Sequence, residues 1–270
     1  MANKKIKKVT TTVTEEFIDE FSNEKTHIIC ILDRSGSMAD IISDSIGGFN
    51  TFLKKQKELP DEATITVALF DDRYDILYDN VNIKKAKELT KLDWIPRGTT
   101  ALYDAIGKTI NTEKANFARL GNEAPAKVLV CVVTDGMENA SREYKLENVK
   151  NLIKECEKND WNFIYLAANQ DAFAVGSSFG VSHHNTYTYT ASGAGVVDMS
   201  NVMFSATANY RGMSKSSGNF KKMSKSLINQ GNNNSEDESE DDIIITTTGT
   251  ASNDANVNTT DKIKYTSSKT

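Results

Sequence analysis

The sequence predicts an α/β sandwich of three layers, with a mainly parallel central sheet and one antiparallel edge strand. Three observations carry this expectation. Strand-like and helix-like segments alternate from residue 26 to residue 212. Two of the strands, "IICIL" at 28–32 and "VLVCVV" at 128–133, are continuous apolar runs of the kind found in strands covered on both faces. Both runs lead into an acid, Asp33 and Asp135. In open parallel sheets ligands gather at the carboxyl ends of the strands, so these two acids mark where a site is expected.

The elements follow in order. After the first strand, Ile41, Ile42, Ile46, Phe49, Phe52 and Leu53 recur at spacings that mix three and four, which predicts a helix with one apolar face, ended by Pro60 and Asp61. "ATITVALFDD" and "YDILYDNVNI" are β-rich and joined through Asp71, Asp72 and Arg73, a hairpin that breaks strict alternation. From Thr100, the residues Leu102, Ala105, Ile106, Ile110 and Phe117 mark the buried side of a second long helix. The central strand follows. "KLENVKNLIKECEKND" then reads as a helix, "WNFIYLAAN" as a strand, "DAFAVGSSFG" as a short helix, "NTYTYTAS" as a strand and "GVVDMSNVMFSATANYR" as the last helix.

Composition sets the boundaries. Residues 1–25 read as an N-terminal extension, 26–212 as the folded domain, and 213–270 as a low-complexity tail rich in Ser, Asn, Thr, Asp and Lys. That tail holds too little apolar surface to offset the entropy of ordering, with "IIITTT" at 243–248 its one strand-like run. A net charge of -5 and the lack of a basic stripe interleaved with aromatics argue against nucleic-acid binding, and "NKKIKK" at 3–8 reads as a solvated terminus. Cys30, Cys131 and Cys156 have no metal-like spacing and read as reduced, inert thiols. No apolar run approaches the ~20 residues that span a bilayer, and residues 1–24 lack a signal-peptide core, so the expected place is the cytoplasm. The oligomeric state is not legible.

Three strand ends are expected to converge: Asp33, Ser35 and Ser37 after the first strand, Thr99 or Thr100 before a helix, and Asp135 after the central strand. Every donor is an oxygen, a set that suits Mg²⁺ or Mn²⁺. Hydroxyl ligands satisfy coordination without neutralising the ion, which is left able to attract a further anion. "DRSGS", a Thr that follows Gly and precedes "ALYDAI", and "VVTDG" resemble the metal-ion-dependent adhesion site of von Willebrand factor type A domains, whose fold is a Rossmann-like sandwich. "IGGFN", "TALYDAIG" and "TDGMENASREY" resemble the compact stand-alone versions in bacteria and their phages. The resemblance implies a Mg²⁺, with Mn²⁺ as the alternative, held directly by Ser35, Ser37 and Thr100 and mostly through water by Asp33 and Asp135. It also implies an open position for the Asp or Glu of a protein partner, in a host cytoplasm or a virion if phage-encoded. The usual Gly-Gly-Thr is Arg97-Gly98-Thr99-Thr100 here, and spacing to Ala105-Ile106 favours Thr100.

Other features have plainer readings. His183 and His184 suggest a metal pair but lack an acidic companion and read as a solvated turn, Asn169 and Asp171 either rim the same mouth or, the favoured reading, cap the short helix, and Trp94 and Trp161 are packing residues. Arg97 is either an anion-steering group or a solvated charge. The functional expectation is a metal-dependent protein-interaction module, not an enzyme, with no nucleic acid and no membrane among its partners. The alternative is a structural or assembly component that uses the fold as a scaffold. A Mg²⁺-dependent phosphoryl transferase is disfavoured, because Ser35 stands where that chemistry wants a second acid and no phosphate-binding Gly motif occurs. A Ser/His/Asp hydrolase would need a histidine at the mouth, whereas His27 opens the strand whose far end carries Asp33. The terminal helix either shifts when the site is filled, as the resemblance implies, or is simply docked. The acids Glu236, Asp237, Glu238, Glu240, Asp241 and Asp242 either reach the metal position in cis or solubilise the tail.

Overall fold

The first strand is apolar on both faces because it lies in the middle of a sheet sandwiched by helices. The computed structural model describes residues 24–217, 220–223 and 226–228. Its strands are β1 (Thr26–Asp33), β2 (Ala63–Phe70), β3 (Tyr74–Asn82), β4 (Lys127–Thr134), β5 (Trp161–Ala168) and β6 (Thr186–Tyr189), ordered β3-β2-β1-β4-β5-β6 in the sheet. Only β3 is antiparallel, paired with β2. β3 follows β2 directly, which breaks the alternation of strands with helices; the pairing of the two slips in register around Val67, and Asn80 has φ 49°.

The helices are α1 (Ile42–Glu58), α2 (Leu102–Leu120), α3 (Leu146–Lys158), α4 (Ala172–Ser178), α5 (Gly193–Gly212) and α6 (Phe220–Met223). Successive β1 side chains alternate between two cores. Ile28, Cys30 and Leu32 pack with Phe49 and Phe52 of α1 and Met199 and Met203 of α5. Ile29 and Ile31 pack with Ile106 and Ile110 of α2 and Val149 and Ile153 of α3. All three cysteines are buried and free, and no described helix is long and apolar enough to cross a membrane.

The end of α5 is tied down by charge. Arg211 is fully buried and donates to the Asp61 carboxylate at 2.8 Å, the Asp61 carbonyl at 2.9 Å, and the Gln56 carbonyl and side chain at 2.7 Å each. Lys127, buried at the start of β4, donates to the carbonyls of Arg211 and Met213 at 2.6 Å each. Carbonyls that the helix end leaves without intrahelical partners are thus satisfied by an ammonium.

The packed body continues past the boundary at 212 read from composition. Phe220, Leu227 and Ile228 are buried in the α1/α5-side core, and the Leu227 and Ile228 amides donate to the Asn185 side chain and the His184 carbonyl. These few apolar residues are diluted when composition is averaged over a long polar segment. Residues 1–23 and 229–270, which include the basic "NKKIKK", the acidic run 236–242 and the strand-like "IIITTT", lie outside the described residues.

Candidate metal centre

Asp33 ends β1 and Asp135 follows β4, and these strands are neighbours. The strand order reverses between them: the chain runs out through β2 and β3, returns to β4, and leaves in the other direction through β5 and β6. Such a reversal opens a crevice at the carboxyl ends of the strands, because the crossovers leave on opposite faces.

Asp33 is fully buried. One carboxylate oxygen accepts from the Ser35 amide at 2.6 Å, the other from the Thr134 hydroxyl at 2.6 Å. Its carbonyl accepts from the Trp94 indole at 2.9 Å. Ser37 Oγ donates to Asp135 at 2.6 Å and lies 3.0 Å from Ser35 Oγ. Thr100 arrives on a loop fixed from three sides: Gly36 N donates to Gly98 O, Ala101 N to Asp71 O, and Thr100 N to the Asn139 side chain at 2.9 Å. Gly98 has φ 64°, and a Cβ there would fall 1.9 Å from an Asp72 carboxylate oxygen, so this turn requires glycine.

The three hydroxyls meet beside Gly136. A Cβ built on that residue would lie 2.8 Å from Thr100 Oγ1, 3.4 Å from Ser37 Oγ and 3.6 Å from Ser35 Oγ. Thr100 is therefore the threonine that joins the cluster; it is buried, while Thr99 is exposed. All five sequence-predicted residues, Asp33, Ser35, Ser37, Thr100 and Asp135, come together at this one mouth.

Burial pushes the Asp33 carboxyl up to about 6, although hydrogen bonds from Thr134 and Ser35 pull it down; the nearby Asp135 charge adds to the rise. Burial also raises the Asp135 carboxyl, against the pull of the Ser37 hydroxyl. The mouth thus confines two carboxylates that would be more stable with a cation present. Among the described residues no group of three or more His, Cys, Asp or Glu could hold a metal, so a metal here depends on the hydroxyls. Two acids, three hydroxyls and a space that a methyl group would fill make an oxygen-only cradle that fits a small hard cation.

The surroundings of the cradle are locked by groups that periodicity did not reveal. Burial would raise the Asp71 carboxyl, but Arg97, the Arg73 amide and Arg34 overcome this and hold it below its usual value. Its one oxygen accepts from both Arg34 Nε and Arg97 Nε at 2.8 Å. Arg97 is thus committed to Asp71, which argues against the anion-steering role. Asp104 accepts from the amides of Arg142, Glu143 and Tyr144, and Glu138 accepts from the Tyr103, Ala140 and Ser141 amides. These two acids clamp the start of α2 to the loop after β4. Thr134 was legible as a hydroxyl interrupting an apolar run just before Asp135. Nothing local marked Asn139 or Asp71.

The plainer readings fare as follows. Asp171 caps α4 by accepting from the Ala174 amide at 3.0 Å, whereas Asn169 takes a left-handed φ of 56° in the preceding turn. His183 and His184 are exposed, with ring centroids 3.6 Å apart. His27 is buried and bonded to Thr64 Oγ1, six residues up β1 from Asp33 or about 20 Å away. Trp161 is buried in the α2/α3-side core.

No protein-family model matches the sequence, and no curated protein matches it. Solved structures are similar in fold. Proximal thread matrix protein 1 from the mussel byssus, with a zinc-occupied MIDAS motif, is 15% identical, with a TM-score of 0.50 over 70% of this chain and 47% of that one. The PilB minor pilin from Streptococcus sanguinis is 9% identical, with a TM-score of 0.52 over 68% of this chain and 61% of that one. A von Willebrand factor type A structure from Catenulispora acidiphila is 12% identical, with a TM-score of 0.48 over 69% and 43%. This chain spans about half the length of the mussel protein. A six-stranded sheet ordered β3-β2-β1-β4-β5-β6, one antiparallel edge, and helices on both faces give this chain the von Willebrand factor type A fold.

Proposed function

We propose that the chain is a metal-dependent protein-interaction module, in which Ser35, Ser37, Thr100, Asp33 and Asp135 hold Mg²⁺ or Mn²⁺ and a partner's Asp or Glu completes the site. The observation that carries this reading is the meeting of three hydroxyls from two separate loops beside Gly136, with a buried acid behind them. Two carboxylates and neutral hydroxyls leave a divalent ion electron-poor, and a further carboxylate is the natural complement. The mussel protein with a metal-occupied MIDAS motif supports this reading by its fold alone.

Thr134 and the Ser35 amide orient Asp33, Ser37 orients Asp135, and Asn139 sets the Thr100 backbone. The bound ion would supply Lewis acidity for holding a carboxylate. Binding is favoured over turnover because the hydroxyls of the mouth hold the carboxylates themselves, Ser37 that of Asp135 and Thr134 that of Asp33, and His27 sits at the far end of β1. The three buried, free thiols accord with a cytoplasmic setting. The test is calorimetric titration of the purified protein with MgCl₂ and MnCl₂, alongside Asp33→Ala. Binding that is lost in the variant, with the fold retained by circular dichroism, supports the site; equal affinity in the two proteins overturns it.

A further inference from the structure

Exposed apolar side chains sit on two of the three loops that build the cradle, the one that carries Thr100 and the one that carries Asp135. Among the described residues, six large hydrophobic side chains are exposed, and three of them, Leu92, Ile95 and Met137, belong to these loops. Met137 is 67% exposed, one residue after Gly136 and two after Asp135. Ile95 is 52% exposed and Leu92 85%, both in the segment that leads to Thr100. The loops meet, since the Asn139 and Ala140 amides donate to the Thr100 carbonyl.

These side chains are held out by rigid backbone. Ile95 lies between Trp94, whose indole is bonded to Asp33 O, and Arg97, whose amide donates to Arg34 O at 2.8 Å. Met137 lies between Gly136, bonded through its amide to Thr134 and through its carbonyl to Gln170, and Glu138, which caps α2. Exposed hydrophobics scattered singly need no explanation, but here they gather on two of the three loops that form the cradle. Arg34 and Arg97, beside the Thr100 loop, are paired with Asp71 and Asp75.

We infer that the mouth recognises an acidic side chain flanked by large apolar residues, with Ile95 and Met137 as the apolar contacts on either side of the metal-bound carboxylate. This rests on the reading above and narrows its partner to a protein segment in which Asp or Glu has aliphatic neighbours. Charge complementarity fixes the carboxylate on the cation, and continuity of the two loops with the cradle places the apolar contacts beside it. Affinity then comes from two separable terms: the ion sets whether a carboxylate binds, and the rim sets which carboxylate.

The experiment uses the full chain with saturating MnCl₂ and two peptides with blocked ends, Gly-Gly-Asp-Gly-Gly and Gly-Leu-Asp-Leu-Gly. Manganese binding is measured first. The leucine-flanked peptide is expected to bind roughly tenfold tighter, a difference that partial burial of its side chains accounts for. In Ile95→Ser and Met137→Ser the manganese affinity stays at the wild-type value while the preference shrinks. Equal affinity for the two peptides in a manganese-loaded protein overturns the apolar rim and leaves the metal reading standing. Binding of manganese without either peptide overturns the carboxylate partner and the rim together, and absence of manganese binding overturns the site itself.

Discussion

The hydroxyl of Thr134 lies 2.6 Å from Asp33 Oδ2, so the last residue of the central strand β4 holds the carboxylate that ends its neighbour β1. Thr134 is itself fully buried, and its Oγ1 also accepts from Gly136 N at 3.1 Å. One hydroxyl thus ties the acid to the glycine around which the cradle forms. Thr134→Val keeps the shape and removes these bonds. We expect a loss of about 1–3 kcal/mol in urea unfolding, the cost of leaving buried polar groups without partners. Metal affinity measured by calorimetry should fall roughly 10- to 100-fold, as it does when a supporting hydrogen bond is removed from a ligand.

A second prediction concerns pH. The Asp33 carboxyl is raised to about 6 in the folded protein from an ordinary value of 3.8, because burial penalises its charge. The folded state therefore binds this proton more tightly than the unfolded chain does. The stabilisation that comes from the neutral acid is full below about 4 and is lost as pH rises through about 6. In EDTA, Asp33→Asn should be more stable than the wild type by about 2–3 kcal/mol at pH 8, and the advantage should shrink toward zero near pH 4. Urea unfolding of the two proteins across that range checks it; a difference independent of pH would show that Asp33 is not strained by burial. Metal binding by the wild type should weaken below pH 6 for the same reason, since cation and proton compete for one carboxylate.

Gly136→Ala fills the cradle without removing any ligand. Its methyl would press on Thr100 Oγ1 at 2.8 Å, tighter than an ordinary contact. Stability of the metal-free protein is expected to fall by about 1–3 kcal/mol, typical of overpacking. Metal affinity should drop roughly tenfold or more, comparable with losing a supporting group of the site. Calorimetry decides this, and wild-type affinity in the variant would move the binding position away from Gly136.

The buried pair of Arg211 and Asp61 fixes the C-terminal turn of α5 against the end of α1. Asp61→Ala leaves the guanidinium without its counter-charge and should cost about 3–5 kcal/mol. With this anchor and the Lys127 bonds in place, the last turn of α5 is expected to keep its hydrogen-exchange protection when Mn²⁺ and an acidic peptide are added. A loss of protection confined to residues 208–212 would show that the helix shifts instead, as the resemblance to adhesion domains implied.

What was legible in the sequence was whatever repeats locally or stands next to itself along the chain. Continuous apolar runs placed β1 and β4 in the middle of a parallel sheet, because only strands covered on both faces can be apolar throughout. Asp33, Ser35 and Ser37 were visible as one loop, and Asp135 as the acid that ends the partner strand. What tertiary structure alone decided was which groups from distant segments share a hydrogen bond. Spacing to Ala105-Ile106 already favoured Thr100 over Thr99, but the hold on its loop, from Thr100 N to the Asn139 side chain and from Ala101 N to the Asp71 carbonyl, joins residues 39 and 30 positions apart. The commitment of Arg97 to Asp71, the hold of Thr134 on Asp33 across 101 residues, and the ties of Arg211 to Gln56 and Asp61 have the same origin. Polar partners like these carry no period, and their pairing exists only once the sheet order has brought their loops to one end of the molecule.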